Sequence, residues 1–381
     1  MTKSAASPPS SPAHAAGRLD QLDGLRGLAI LGVLANHFLP FPGSFYCGWL
    51  GVNLFFVLSG FLITRILLEQ RQTIDGKYGV LRSLGVFYAR RALRIFPLYY
   101  FALAVLWVCN FQQSREYGWW LATYTYNVRI AVVGFSQTYD HFWTLCVEEQ
   151  FYLIWPVVLL TLSPRWLPKI LGVAFLVGPA WRVGCLGLAA TTRMPLHVAT
   201  FACLDCLAAG ALLAYFQNER IGWQSFLNRC RIVGVALMVL WVVVCMLQRP
   251  WMWHHVTVEW VIGNTAMAIF FAWVVGRAAE QRDGDWNALL RMKWLTYLGT
   301  ISYSVYVLHN FTPLLWAWVA PHVRWVAIPA PYAHVTLSIL AGMLSWNLIE
   351  RPIQRLKRLI PYAPHPTGDA AQNHPAYRRA A

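Results

Sequence analysis

Ten apolar stretches, near residues 22–39, 48–68, 95–111, 142–162, 169–188, 198–216, 231–247, 256–276, 297–319 and 326–348, follow one another with few charges inside them. A run of about twenty such residues matches a hydrocarbon core of about 30 Å, and in lipid the backbone polar groups must be satisfied within the segment, which a helix does. The period-2 alternation of a membrane barrel is absent. The expected fold is therefore all-α: a polytopic membrane protein of about ten transmembrane helices, with one domain over residues 21–360. A charged fraction of 12% agrees, since soluble domains carry about twice that.

The net charge of +15 raises two classes of partner, nucleic acid and an anionic membrane surface. Its distribution decides between them. With the N-terminus inside, the outer loops hold only Arg115, Arg129, Arg193, Arg249 and Arg324, Arg182 falls within a span, and the rest of the 31 Lys and Arg lie on or near the inner side. This is the positive-inside pattern. It implies both termini in the cytoplasm, a multi-pass membrane location, the lipid bilayer as partner and no nucleic-acid role. Residues 1–20 and 361–381 lack an apolar core and read as disordered cytoplasmic tails. The eight cysteines are scattered. Cys203 and Cys206 have no second ligand pair nearby, so packing rather than metal binding is expected of them. Asp205, between them, is an intramembrane carboxylate with no partner evident in the sequence.

The polar residues inside the spans carry the chemistry, because an ionisable side chain in lipid is expensive and marks a site by default. Arg26 and His37 are eleven residues apart, which puts them on one helix face about 16 Å apart along its axis. In the fourth stretch His141, Glu148 and Tyr152 are spaced by seven and four and also share a face, whereas Glu149 points about 100° away. Helical rise puts Glu148 about 10 Å from His141 and at the height of His37, an arrangement that suits a general base and its orienting carboxylate. His309, in the ninth stretch, is a third candidate, with a catalytic role and a core histidine equally open. Trp143 and Tyr303 sit on the same two segments and join His141 and Tyr152 as expected substrate-binding residues.

Arg90, Arg91 and Arg94 form a basic cluster, and Arg91 and Arg94 are helix neighbours. Guanidinium pairs at that spacing suit phosphate through forked hydrogen bonds, although positive-inside anchoring explains them too. Pro97 predicts a kink or a helix start. Residues 111–141 form an outer loop rich in Trp and Tyr, which stack on sugars but also collect at membrane interfaces.

With these pieces in place the chain resembles the integral-membrane acyltransferase-3 family, of the cell-surface glycan O-acyltransferase type. The resemblance rests on Leu22-Asp-Gly-Leu-Arg26-Gly with His37, on Gly51-Val-Asn-Leu-Phe-Phe-Val-Leu-Ser59-Gly-Phe-Leu-Ile-Thr64 and on Arg91-Ala-Leu-Arg94-Ile-Phe-Pro97. It continues through His141-Phe-Trp-Thr-Leu-Cys-Val-Glu148-Glu149-Gln-Phe-Tyr152, Ser302-Tyr-Ser-Val-Tyr-Val-Leu-His309 and Ile349-Glu350-Arg351-Pro352. It implies an acyltransferase that takes an acyl group, acetyl foremost, from cytoplasmic acyl-coenzyme A as co-substrate, with no permanently bound cofactor and no metal. The acceptor would be a hydroxyl on a glycan or glycan precursor. Catalytic roles are implied for His37 and Glu148, with Arg26 and His309 beside them, and coenzyme A phosphate contacts for Arg91 and Arg94, with Arg90 adjoining. Asn53 stands where the family usually has Asp, Cys146 replaces a common Ser, and Asn310 follows His309 where the pattern runs toward Pro. No esterase-like extension follows residue 352, so the expectation is the transmembrane module, working alone or with glycan-assembly partner proteins. A competing class is a proton-coupled transporter or flippase, which also uses mid-membrane His and Glu; against it, no internal repeat is visible.

Overall fold

The computed structural model describes residues 19–39, 44–74, 76–135, 137–186, 196–220, 222–247, 258–280, 284–322 and 329–362. Both tails expected to be disordered lie outside these, apart from the few residues adjoining the domain.

The chain builds α1 (Asp20–Phe38), α2 (Ser44–Arg71), α3 (Gly76–Cys109), two short helices α4 (Gly118–Ala122) and α5 (Tyr126–Val133), then α6 (Trp143–Thr161) and α7 (Leu167–Gly184). There follow α8 (Leu204–Glu219), α9 (Trp223–Leu247), α10 (Val258–Ala279), α11 (Asp285–Leu290), α12 (Lys293–Thr300), α13 (Ser302–Leu308), α14 (Thr312–Val319) and α15 (Ala330–Ser345). No strand occurs among the described residues, and over these residues the apolar stretches of the sequence coincide with helix. Among the described residues seven helices are long and apolar enough to cross a membrane. The remaining stretches are interrupted: α1 carries Asp20, Asp23 and Arg26 in its first two turns, α7 holds Arg182 and two prolines, and 297–319 is broken into α12, α13 and α14.

Pro97 does not start a helix. It lies inside α3, which begins twenty residues earlier and carries Arg90, Arg91 and Arg94 on one continuous rod. α2 sits centrally, against α1, α6, α8 and α10, while α9 is largely exposed on the outside of the bundle. The α2–α8 contact is tight because both helices present glycine: a Cβ on Gly60 would meet the Leu207 carbonyl oxygen at 2.0 Å, and one on Gly210 the Val57 carbonyl oxygen at 2.0 Å. Without a solvent-driven force between helices in lipid, such close approach supplies van der Waals energy that holds them together.

Asp205 does have a partner. Arg182 of α7 grips it with a fork, Nη2 to Oδ2 at 2.6 Å and Nη1 to Oδ1 at 3.1 Å, and both side chains are fully buried. Thr265 of α10 adds its hydroxyl to Oδ2 at 3.1 Å, and Arg182 also donates to the Ala202 carbonyl. Three helices are thus tied by one buried ionic cluster, in which Arg182 Nε alone lacks a partner; pairing the two charges is the economical way to keep them in a dry interior.

The aromatic loop is not a plain interfacial belt. Tyr99 and Tyr100 of α3 donate to the carbonyls of Leu121 and Ala122 at 2.8 and 2.9 Å, and Gln150 of α6 donates to the Tyr124 carbonyl at 2.7 Å. Tyr124 adopts φ 54, left-handed for a bulky residue, and its ring stacks on Tyr99 at 4.4 Å. Trp119 and Phe135 remain exposed. The segment therefore folds back onto the helices that carry the site, and only part of it faces outward.

Candidate functional site

α1, α2, α3, α6 and α13 enclose a cavity lined by Arg26, Arg91, Arg94, Glu148 and Glu149, with Ser59, Tyr152, Tyr303 and Tyr306 among its other walls. The three guanidinium groups outnumber the two carboxylates, so the cavity favours an anion. Its hydrogen bonds run in one direction: Tyr152 Oη donates to Ser59 Oγ at 2.9 Å, and Ser59 Oγ donates to Glu148 Oε1 at 2.5 Å. The Arg91 guanidinium lies 5.0 Å above the Tyr152 ring. Arg26 pairs with Asp23 at 3.2 Å, one turn back on α1.

A second, more polar chamber shares three walls with the first, Arg26, Arg94 and Tyr303, and adds Asp23, Glu350 and Gln354. Tyr303 is fixed in this shared wall by donating to the Ile95 carbonyl at 2.7 Å. Glu350 closes a π-helical turn, Trp346–Glu350, and accepts from the hydroxyls of Ser304 and, at 3.0 Å, Ser345. Single π turns recur at functional sites because they re-aim a side chain within a helix.

The histidines gather elsewhere. His37, in the last turn of α1, sets its ring edge-to-face on His309 at 4.7 Å, and His309 in turn meets His141 at 4.8 Å. His309 Nδ1 is 2.6 Å from the Tyr306 carbonyl oxygen. Its Nε2 is buried with no partner. His141 contacts the Val307 and Thr138 carbonyls and receives Asn310 Nδ2 at Nδ1, all at 3.2 Å. Among the described residues no group of His, Cys, Asp and Glu is placed to hold a metal ion. Tyr306 stands between the two regions: it lines the arginine cavity, accepts from Thr144 at 2.6 Å, donates to the His141 carbonyl at 3.0 Å and packs on the His309 ring at 5.4 Å.

The structure brings Arg26, Arg91, Arg94, Glu148, Tyr152 and Tyr303 together round one cavity, although Arg26 was expected at the rim and Glu148 at mid-depth, and it does not pair His37 with Glu148. Glu148 bonds Ser59, and His37 sits at the level of His141, about 10 Å further along α6. The depth argument failed because α1 starts at Asp20, so Arg26 is already more than a turn inside and His37 is carried toward the far end. His141 also belongs to a 3₁₀ turn, Thr138–Phe142, rather than to the helix itself. Glu149 is a second correction. It lines the same cavity as Glu148, because the lining residues of α6, from Thr144 to Tyr152, cover an arc of about 140° that takes in both carboxylates. Arg90 stands apart, donating to the Lys357 and Ile360 carbonyls at 2.8 Å each with Tyr362 under its guanidinium, so it ties down the segment 357–362. Trp143 is packed between Trp49 and Phe56 and does not line the cavity. Sequence reasoning did not single out Ser59, Thr144 or Tyr306. Hydroxyls are cheap in a helix, and only their neighbours on other helices reveal a role.

Asn310 and Asn53, departures from the family pattern, both have structural work. Asn310 bonds His141, while Asn53 bonds the Trp49 carbonyl at 2.9 Å and accepts from the Cys206 thiol.

Residues 19–349 match the family model described as an acyltransferase domain. The peptidoglycan O-acetyltransferase OatA of Listeria monocytogenes is 25% identical over 360 residues, covering 86% of this chain and 54% of the relative. The O-acetyltransferase OatA of Staphylococcus aureus is 26% identical over 345 residues, covering 81% and 53%. The chain thus spans about half the length of the curated relatives it matches. No solved structure matches.

Proposed function

The chain belongs to the acyltransferase-domain family, and on that footing we propose that it is a membrane O-acyltransferase moving an acetyl group from acetyl-coenzyme A to a hydroxyl of a cell-wall glycan such as peptidoglycan. One observation carries the reading: three arginines and two carboxylates line a cavity on the same helices that bear a histidine cluster at their other end. In this reading both termini are cytoplasmic, the membrane is the bacterial inner membrane, and acyl-coenzyme A is a co-substrate rather than a resident cofactor. Arg91 and Arg94, with Arg26, take the donor's phosphates, for which planar guanidinium forks are suited. The donor's long arm points along α1 toward His37, which lies about 16 Å from Arg26 by helical rise. Tyr306 marks the point the acyl group passes.

At the far end His37 accepts the proton of the acceptor hydroxyl as its oxygen attacks the thioester carbonyl. The carbon–sulfur bond breaks, and the thiolate leaves with the proton returned by the imidazolium. Glu148, held by Ser59, acts on the donor side by balancing the arginine charges, so its effect on His37 is through position along the path and not by contact. A relay to a partner protein fits equally well with relatives about twice as long as this chain.

The test is thiol release from acetyl-coenzyme A by the purified protein in proteoliposomes with peptidoglycan fragments outside, together with mass spectrometry of the fragments. Absence of both thiol release and O-acetylation in the wild type would overturn the assignment. Arg91→Ala and Arg94→Ala are expected to raise the donor KM by about tenfold each, with smaller changes in kcat, since each removes a charge-assisted hydrogen bond worth about 1.5–3 kcal/mol far from the reacting carbonyl. Higher ionic strength should weaken donor binding in the wild type more than in the double variant. Equal donor affinity and salt response would return these arginines to a topological role. Glu148→Gln should lower kcat/KM, and Glu149→Gln should do so as well because it lines the same walls; a wild-type Glu149→Gln protein would make the cavity lining irrelevant to Glu149.

A further inference from the structure

The His309 imidazole is fully buried and one of its nitrogens has no partner. The other nitrogen settles which one carries the hydrogen. A carbonyl oxygen only accepts, so the 2.6 Å contact of Nδ1 with the Tyr306 carbonyl puts the proton on Nδ1. Nε2 is then a bare lone pair in a dry place, and an unmet acceptor there costs about 1–3 kcal/mol. Such a group calls for a donor. Two imidazoles flank it. His141 is committed in either tautomer: its Nδ1 is held by the Thr138 carbonyl and Asn310 Nδ2 and its Nε2 by the Val307 carbonyl, so neither nitrogen is free for His309. His37 is different, since among the described residues its ring nitrogens make no hydrogen bond, and its side chain is partly open to the outside of the bundle.

We propose that His309 is the positioning partner of His37: its bare Nε2 accepts an N–H from the His37 ring, which fixes the tautomer of His37 and leaves that ring's other nitrogen free as a lone pair for the acceptor hydroxyl. Two imidazoles joined by an N–H···N bond have ring centres roughly 5 Å apart, from a donor–acceptor distance of about 3 Å. The observed 4.7 Å edge-to-face approach is already at that separation, so rotation of the His37 ring suffices. The role is that of the residue which orients a catalytic histidine in a triad, filled here by a neutral ring in place of a carboxylate. A neutral partner suits a cluster packed with Phe38 and Phe311, where a lone carboxylate would be expensive. This inference rests on the acyltransferase reading for its kinetics but not for its chemistry, and the test keeps the two apart.

Two substitutions separate the nitrogens. His309→Asn keeps a donor near the Nδ1 position for the Tyr306 carbonyl and removes the acceptor at Nε2, while His309→Gln places an amide oxygen near Nε2. In proteoliposomes His309→Asn should lower kcat by roughly 10- to 100-fold, the usual loss on removing an orienting group, with donor KM unchanged. His309→Gln should recover part of that loss. An unchanged kcat in His309→Asn, or a Gln variant no better than Asn, would overturn the proposal. So would a rise confined to acceptor KM, which would put the acceptor hydroxyl itself on Nε2. The second readout needs no turnover: carbethoxylation of His37 by diethylpyrocarbonate, followed by mass spectrometry. A fixed tautomer leaves the outward nitrogen of His37 bare and reactive, so His309→Asn should lose labelling rate at His37. An unchanged rate overturns the positioning role even if the wild type transfers no acyl group, an outcome that would overturn the proposed function separately.

Discussion

His37→Ala is expected to abolish acyl transfer to the glycan while leaving the protein folded and able to bind its donor. A positioned general base contributes typically 10²- to 10⁴-fold, so a loss of that order is the size to look for. Folding should survive because His37 lies in the last turn of α1 and is the exposed member of the histidine cluster; truncation opens no cavity in the core. Donor binding should survive because the arginine cavity lies about 16 Å back along the same helix. The three statements are checked together: transfer by product mass spectrometry, donor affinity by titration, and integrity by size-exclusion behaviour in detergent. Wild-type transfer by the His37→Ala protein would remove His37 from the reaction. Loss of donor binding along with transfer would mean that the two ends of the site are one, and the separation drawn here between phosphate grip and chemistry would fall. His37→Gln is the companion variant: it restores hydrogen bonding without a titrating nitrogen, and it should remain inactive if proton transfer is what the residue supplies.

Much of the arrangement was legible in the sequence, and what was not has identifiable physical causes. Apolar runs report helices reliably because in lipid a segment that is not part of a closed barrel can satisfy its backbone only as a helix, and the described residues of the ten stretches lie on helix. Residues of one helix face were also grouped correctly: Arg91 with Arg94, and Glu148 with Tyr152, all line one cavity. Position between helices is another matter. Helical rise gives a height only if both helices start at the membrane surface and stand upright, and it gives no azimuth at all. That is why His37 and Glu148, level on paper, are held by different partners, Glu148 by Ser59 and His37 by His309. Glu149 shows the complementary failure. A hundred degrees of rotation separates two residues only when the cavity faces a narrower arc than that, and this one faces about 140° of α6. The family resemblance added the roles of these residues but no geometry, so the histidine cluster as a set of three became visible only with the fold.

Asp205 was singled out by composition alone, and its partner Arg182 was noted as a lone charge within a span. Two opposite charges in neighbouring spans are more safely paired than left single, and the fold pairs them. The largest effect on stability is expected here. Arg182→Met should leave the Asp205 carboxylate buried with only Thr265 and a backbone amide to satisfy it, and breaking a buried pair on one side costs about 3–5 kcal/mol. Asp205→Asn should be harmful in the converse way, stranding the Arg182 guanidinium among α7, α8 and α10. The double variant Arg182→Met with Asp205→Asn removes both charges, so its loss should be smaller than the sum of the two singles, because the cost lies in the uncompensated charge more than in the missing attraction. Arg182→Lys should rescue only in part, since an ammonium keeps the charge but cannot make the two-pronged contact. Thermal unfolding of the wild type, the Arg182→Met and Asp205→Asn singles and their double variant in one detergent, taken as a double-mutant cycle, reads the coupling directly. Simple additivity of the two single losses would show that Arg182 and Asp205 act independently, and the ionic cluster would then be incidental to the packing of these three helices.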